Sequence, residues 1–311
     1  MPEPTVSIVV PAYNAARTIA RTLSSVVAQP PVVEVIVVDD GSDDSEALRR
    51  TIADFPEAIL LSHEKNLGKA AAMNTGIAAS RGETVIILDA DDQLVPGWHG
   101  ILNGILKRWP SSAAICFAVS QSPDGQPTVS EPEYTGPLSF EDMLNDRHKG
   151  EYLPIFRGPA VRDARGYHDP GTRRECAQWS YLAYAKRAPL WIDSAVMRIY
   201  HEDQPGSLSS SLANPEKAAE IVTCYDRIFE SFGDDYSSLA PLNARRRQLR
   251  HAVFSALAAD RSKALRIWRE AASASLPFES LAALCLMIIG GKSALAIVQL
   301  AKRLGLVRRY G

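Results

Sequence analysis

The sequence predicts an α/β fold, with a mostly parallel central sheet flanked by helices and an α-helical C-terminal region after it. Three observations carry this. Short apolar runs rich in Val and Ile alternate with amphipathic segments through residues 1–120, the pattern of parallel strands joined by crossover helices. Each run ends in an acidic or glycine-bearing loop, and in an open sheet such loops line the ligand crevice. From Asn214 onward the apolar residues recur with a helical period instead. The 311 residues therefore divide into a sheet-bearing domain over 1–212, with halves 1–120 and 121–212, and a helical region over 213–311.

Val6 to Val10 is the first strand, stopped by Pro11-Ala-Tyr-Asn, and Ala16 to Val27 is a helix with Ile19, Leu23, Val26 and Val27 on one stripe. The second strand, Val33 to Val38, runs into Asp39-Asp40-Gly41-Ser42-Asp43-Asp44, whose Ser42 to Asp44 can cap a helix over Ser45 to Ala53. Ile59 to Ser62 is a third strand, and His63 to Lys69 leads from it into a small-residue helix, Ala70 to Ala79. Strand Thr84 to Asp89, helix Trp98 to Arg108 and strand Ala113 to Ala118 follow, and Ser122 to Pro127 has turn composition. Phe140 to Asn145 reads as helix, the stretch up to Arg157 as loop, and Gly158 to Arg162 as a short strand. Trp191 to Asp193 and Ala195 to Tyr200 read as two further strands. Helical periodicity marks Glu216 to Phe232, Leu242 to Ala258, Ser262 to Ala272 and Phe278 to Ile289, and Pro215 after Asn214 suits a helix start.

Composition excludes several classes. A formal charge of −2 gives no global attraction for nucleic acid. The four cysteines, Cys116, Cys176, Cys224 and Cys285, form no close pair, which argues against structural zinc and disulfides and for a reducing, cytoplasmic setting. Met1 to Val6 has no basic and apolar leader. Neither Gly-x-Gly-x-x-Gly after the first strand nor Gly-x-x-x-x-Gly-Lys-Ser/Thr is present, so the dinucleotide and phosphate-loop readings fail.

The chemistry concentrates where the strand Thr84 to Asp89 ends in Asp89-Ala90-Asp91-Asp92. In extended chain, Asp89 and Asp91 project from one face. Two aligned carboxylates suit a hard divalent cation, Mg²⁺ or Mn²⁺. The same cluster also reads as a helix cap or turn, with Asp92 capping the next segment.

Four stretches resemble family 2 glycosyltransferases: Val9 to Asn14 (VVPAYN), Val37 to Ser42 (VVDDGS), Asn66 to Gly76 (NLGKAAAMNTG) and Asp89 to Asp92 (DADD). Their order, each at a strand end, is more specific than any one alone, and the resemblance extends over Val6 to Ser209. It implies the A-type glycosyltransferase fold, with a nucleotide-sugar half over 1–120 and an acceptor half over 121–212. It further implies a nucleotide-diphosphate sugar donor, UDP-linked, a divalent cation and inversion at the anomeric carbon. The acceptor it implies is a glycan, lipid-linked or protein hydroxyl in surface polysaccharide, glycolipid or glycoprotein assembly. Carried over by position, the resemblance implies that Pro11 and Tyr13 would sit against the base and that Asp39 would accept from its ring N–H, with Asp40 as second choice. Lys69 would meet the diphosphate, or is an exposed helix lysine. Asp89 would touch ribose or metal, and Asp91 would ligate the metal directly.

Downstream, Arg165 to Asp169 resembles the family's Gly-Gly-Phe-Asp element, with Gly166-Tyr167 in place of Gly-Phe. The family's catalytic base is the Asp of a Glu-Asp pair, with an aromatic four residues later on the same helix face. Here the chain reads Arg174-Glu175-Cys176-Ala177-Gln178-Trp179. With Trp179 as the aromatic, the base is Glu175, and the i, i+4 spacing favours this frame; Glu175 paired with Arg173 or Arg174 on a solvated turn is the other reading. A frame shifted by one puts Cys176 at the base position and implies a weak or inactive nucleotide-sugar-binding protein. His201, ending an Arg-x-x-His run before Ser207-Leu-Ser209, is the third metal-ligand candidate or a solvated histidine. Arg245, Arg246, Arg247 and Arg250 form a basic face for lipid, an acidic acceptor or solvent. Leu281 to Leu300 has the length of a membrane span but is broken by Gly290-Gly291-Lys292, and basic residues from Lys302 to Arg309 follow it. It reads as packed helices, a peripheral helix at the inner face of the membrane, or a span.

Overall fold

The computed structural model describes residues 6–27, 33–168, 171–201, 215–272 and 276–289. Its strands are β1 (Val6–Ala12), β2 (Val33–Asp39), β3 (Ala58–Ser62), β4 (Thr84–Ile87), β5 (Gln93–Leu94), β6 (Ile115–Gln121), β7 (Gly136–Leu138), β8 (Tyr152–Arg157) and β9 (Leu190–Ile199). Helices α1 (Ile19–Val27), α2 (Ser45–Ile52), α3 (Lys69–Ala79), α4 (Trp98–Arg108), α5 (Phe140–Leu144), α6 (Gly158–Asp163) and α7 (Ala177–Ala185) lie among them. One sheet runs in the order β3-β2-β1-β4-β8-β6-β9-β5, with β7 also on β9. The half from β3 to β4 is parallel. Beyond it the sheet is mixed, because β8 is antiparallel to β4 and β6 while β6 and β9 run parallel.

Alternation along the parallel strands sorts their side chains into two layers. Ile8, Val10, Val35, Val37, Ile86 and Leu88 face a cluster with Ile19 and Leu23 of α1, Leu48 of α2 and Trp98 of α4. On the other side, Ile36 and Val38 meet Ala72 of α3. The small residues of α3 let it lie close on the sheet: a Cβ at Gly76 would stand 2.3 Å from Val9 Cγ1.

Three local readings change. The loop expected up to Arg157 contains β8, whose residues Leu153 to Phe156 are buried. Pro154 hid it, since proline lacks the N–H of a central strand. Gly158 to Arg162 is helical, in α6, with a proline in its first turn where a missing N–H costs nothing. The two strands expected over 191–200 are the single strand β9, and its register on β6 shifts near Ala118 to Ser120. Asp193, the expected end of the first of them, is fully buried and takes two hydrogen bonds of 2.9 Å from the Arg108 guanidinium.

The chain forms two compact units: residues through Phe140 with those from His148 through β9, and a second built from Glu141–Arg147 and the later helices. The second holds α8 (Pro215–Leu239), α9 (Pro241–Leu257), α10 (Arg261–Ala271) and α11 (Pro277–Ile289). Arg247 leaves the expected basic face: it is buried, pairs with Asp146 and lies 5.6 Å from the Tyr236 ring centroid. Arg246 pairs with Glu279 at 3.4 Å, while Arg245 and Arg250 are exposed. No helix among the described residues is long and apolar enough to cross a membrane. Asp169, residues 202–209, the Asn214 cap, the Gly290 to Lys292 break, the remainder of the candidate span and its basic flank lie outside the described residues.

His251 of α9 stacks on Tyr225, with ring centroids 5.3 Å apart, and faces Asp226, whose carboxylate Lys263 already holds at 2.6 Å. Burial, opposed by Asp226 and reinforced by Lys263 and Arg266, lowers the imidazole from 6.5 to about 4. Between those values the unfolded chain binds a proton that the folded chain does not, so stability rises with pH across the window and falls on acidification. His251→Phe keeps an aromatic ring and is expected to flatten that rise in denaturant midpoint between about pH 4 and 6.5. Parallel profiles for parent and variant would remove His251 from this role.

Candidate active site

The acidic stretch after β4 is a turn, not extended chain: Leu88 N–H still donates to Val9 O at 3.0 Å, but Asp92 N–H folds back to Asp89 O at 3.1 Å. The expectation that Asp89 and Asp91 share a strand face is therefore replaced by a turn. The turn gathers three carboxylates, Asp89, Asp91 and Asp92, with one oxygen from each within 4.8 Å of the others. Helix α1 fixes it from beneath. The buried Thr22 hydroxyl bonds Ala90 O and Asp92 O at 2.9 and 2.7 Å, and the Arg21 guanidinium donates to Asp91 O.

Asp92 does not cap the following segment. It is fully buried, 3.2 Å from Arg198 Nη1, and accepts from His201 N–H at 2.9 Å. Burial, opposed by Arg198 and assisted by Asp89, pushes its carboxyl up to about 7. Burial and the Asp89 charge raise Asp91 as well. Such crowding of hard oxygen ligands fits a divalent cation, whose charge would relieve the repulsion among them.

The ammonium of Lys69, at the first position of α3, joins the two halves of the site. Its Nζ lies 2.8 Å from Asp89 Oδ1 and 3.3 Å from Glu175 Oε2. Lys69 is thus not an exposed helix lysine. The approach depends on Gly68, whose φ is +102° and whose Cβ, if present, would stand 2.4 Å from Thr172 O; the Lys69 N–H then donates to Arg173 O at 3.1 Å. Burial works against the charge on Lys69, yet the two carboxylates raise its pKa well above the usual lysine value. Burial likewise works against ionised Asp89, but Lys69 and Arg198 hold it below the ordinary carboxylate value. Glu175 shifts the other way, raised by burial and by Asp89 against the pull of Lys69.

The helix argument for Glu175 does not survive. Helix α7 begins at Ala177 with Cys176 as its N-cap residue, so Glu175 precedes it and no helix face is shared with Trp179. Cys176 is buried. Glu175 reaches the cluster through its pairing with Lys69 instead. Its surroundings include Tyr167 and Tyr181, whose hydroxyls are 3.0 Å apart and are both raised by burial first.

His201 is not brought into the carboxylate cluster. Its ring Nε2 lies 3.0 Å from Gln93 Oε1, burial and Arg21 lower its pKa, and Asp92 is the third carboxylate instead. The Arg-x-x-His run held the signal in its arginine: buried Arg198 contacts Asp92, while the histidine contributes its backbone N–H. Sequence reasoning gave no role to Arg198, Thr22 or Arg21.

On the other strand ends, Pro11 is buried within β1 and Tyr13 is 45% exposed. Asp39 accepts from Ser42 N–H at 3.0 Å and from the Ser45 hydroxyl, so it, rather than Ser42 to Asp44, serves the start of α2. Asp40 is buried and holds the next loop, accepting from Leu67 and Gly68 N–H at 2.9 and 2.8 Å and meeting His63 Nδ1 at 2.7 Å.

Residues 7–160 match the family model for glycosyl transferase family 2. The chain is 44% identical over 99 residues to the succinoglycan biosynthesis protein ExoU of Rhizobium meliloti, across 31% of this chain and 29% of that protein. That aligned part is therefore less than a third of the relative's own length. Among solved structures, it resembles S. aureus TarS 1-349 in complex with UDP-GlcNAc at TM-score 0.56 and 15% identity, covering 86% of this chain and 90% of the other. It also resembles the mannosyltransferase PcManGT of Pyrobaculum calidifontis, in complex with GDP-Man and Mn²⁺, at TM-score 0.56 and 20% identity, covering 99% and 82%. At these identities the structural matches establish the fold, the A-type glycosyltransferase fold. The chain carries a glycosyl transferase family 2 domain, spanning residues 7–160.

Proposed function

We propose that the chain is an inverting, metal-dependent glycosyltransferase that moves a sugar from a UDP-linked donor to an acceptor hydroxyl in surface polysaccharide, glycolipid or glycoprotein assembly. One observation carries the reading: Glu175 and Asp89 share a single ammonium, so a candidate base stands beside the carboxylate cluster. The succinoglycan biosynthesis relative supports the polysaccharide setting, and the UDP-GlcNAc and GDP-Man/Mn²⁺ complexes of the structural neighbours support a nucleotide-sugar donor and a divalent cation. The dispersed cysteines support a cytoplasmic site of action. The exposed Phe278, Leu281 and Ile288 of α11 support a peripheral contact with the inner face of the membrane.

Asp89 and Asp91, with Asp92 beside them in the same cluster, would hold the cation, which when bound would neutralise charge on the departing diphosphate. Pro11 and Tyr13 border the base, and Asp39 retains lone pairs to accept from its ring N–H despite its two internal bonds. Lys69 keeps Asp89 ionised and positions Glu175. Glu175 Oε takes the proton of the acceptor hydroxyl as its oxygen bonds the anomeric carbon, and the nucleoside diphosphate leaves from the opposite face with the bonding electron pair. A carboxylate with a raised pKa is a stronger base than an ordinary one, which suits the burial of Glu175.

Glu175→Gln is expected to lower transfer by about 10²- to 10⁴-fold, with UDP binding retained in the same preparation; a loss below tenfold would exclude the base role. In thermal-shift measurements UDP is expected to stabilise the parent chain only with Mn²⁺, and Asp91→Asn to lose that dependence. Full retention in the variant would sink the metal assignment. Lys69→Met leaves two half-buried carboxylates without their shared cation and is expected to cost about 2 to 3 kcal/mol in denaturant unfolding, less than a fully buried pair because all three groups keep some solvent contact. No measurable loss would show that the bridge is not formed in solution.

A further inference from the structure

A concavity lies beside α6 and α7, lined by none of the cluster's carboxylates. Its volume is about 300 Å³, and Arg165, Tyr167, His168, Trp179, Tyr184 and Arg187 line it. That is the lower end of ligand-pocket size and has room for one or two sugar rings. The rings of His168 and Trp179 stack with centroids 4.0 Å apart and planes 28° from parallel. Stacked in this way the two half-buried rings hold each other in place, and an outer face of the stack is the kind of flat surface that the C–H face of a pyranose covers.

The wall is built rather than incidental. Asn74 clamps the loop after α6, its Oδ1 accepting from Tyr167 N–H at 2.7 Å and its Nδ2 donating to Tyr167 O at 2.9 Å. The Ser180 hydroxyl accepts from His168 N–H at 2.8 Å. Arg165 is held at φ +60°, a left-handed conformation that a non-glycine side chain adopts at a cost. Arg165 and Arg187 are exposed, and among the described residues neither has an ion-pair partner and no carboxylate lines the cleft. Two planar cations beside an aromatic platform match a sugar that carries a carboxylate, which guanidinium groups grip through paired hydrogen bonds.

We propose that this cleft is an acceptor subsite for a uronate-bearing glycan. The proposal rests on the glycosyltransferase reading, because the cleft gains its meaning from its nearness to the base: Tyr167 lines it and also bonds Tyr181 beside Glu175. The non-reacting sugars of the acceptor lie on Trp179 and His168, and a uronate carboxylate meets Arg165 and Arg187. The reacting hydroxyl is left toward Glu175.

The test is binding of cellobiouronic acid against cellobiose to the full chain, followed by NMR titration at low salt. The acid is expected to bind at least tenfold tighter. Arg187→Gln and Arg165→Asn, the latter because asparagine tolerates positive φ, are each expected to cut the affinity for the acid fivefold or more while leaving that for cellobiose unchanged. Trp179→Leu is expected to weaken both sugars. Equal affinity for the two sugars, no binding of either, or arginine variants that bind the acid like the parent would overturn the proposal. UDP with Mn²⁺ is titrated into the same samples. A chain that binds nucleotide but not the uronate overturns the subsite alone, and one that binds the uronate but no nucleotide overturns the donor reading alone.

Discussion

The ammonium of Lys69 is the interaction on which the rest of the site depends. Asp89 at the end of β4 and Glu175 ahead of α7 are far apart in sequence and largely removed from water. Two half-buried carboxylates repel each other in a medium that screens less well than water. A single cation between them turns that repulsion into a link. The link is possible only because Gly68 lets the start of α3 approach the backbone of Thr172 and Arg173, and so the geometry of one glycine sets the distance between donor-side and acceptor-side groups.

Charge balance extends outward from that bridge. Asp89, Asp91, Asp92 and Glu175 are faced by Lys69, Arg198 and Arg21. Arg174 also acts on Glu175, and Arg198 is shared with Glu151. Burial first, and then the repulsion of Asp89, raises the carboxyls of Asp91, Asp92 and Glu175, while Asp89, paired with Lys69 and near Arg198, is lowered. A site with its carboxylates crowded in this way suits a divalent cation and is costly without one. Helix α1 bears part of that cost, because the Thr22 and Arg21 bonds to the turn's carbonyls hold the acids together despite their repulsion.

The nucleotide side is arranged by the same economy of groups. Asp39 both ends β2 and serves the first turn of α2, while Asp40 fixes the loop that leads to Lys69. His63 continues the chain of contacts, meeting Asp40 at 2.7 Å and the Thr75 hydroxyl of α3 at 2.9 Å. Loop positions at two strand ends, those of β2 and β3, are thereby tied to one helix, and the bridging lysine at its start inherits that rigidity.

Local pattern was enough for much of this protein. Short apolar runs, helical stripes and acidic strand ends made the parallel half of the sheet, the flanking helices and the cluster at Asp89 to Asp91 legible, since each depends on residues close in sequence. What needed the tertiary structure depends on residues far apart. Pro154 concealed a strand that neighbours on both sides hold in place, and Glu175 looked helical although its position is set by Lys69 more than 100 residues earlier. His201 drew attention as a ligand type, but folding gives the cluster Asp92 and Arg198 and leaves the imidazole on Gln93. Sequence alone determined which chemistry this chain can assemble, because ligand types and strand ends are written locally. Only the fold decided which groups meet, because burial and charge pairing act between side chains that spacing along the chain does not relate.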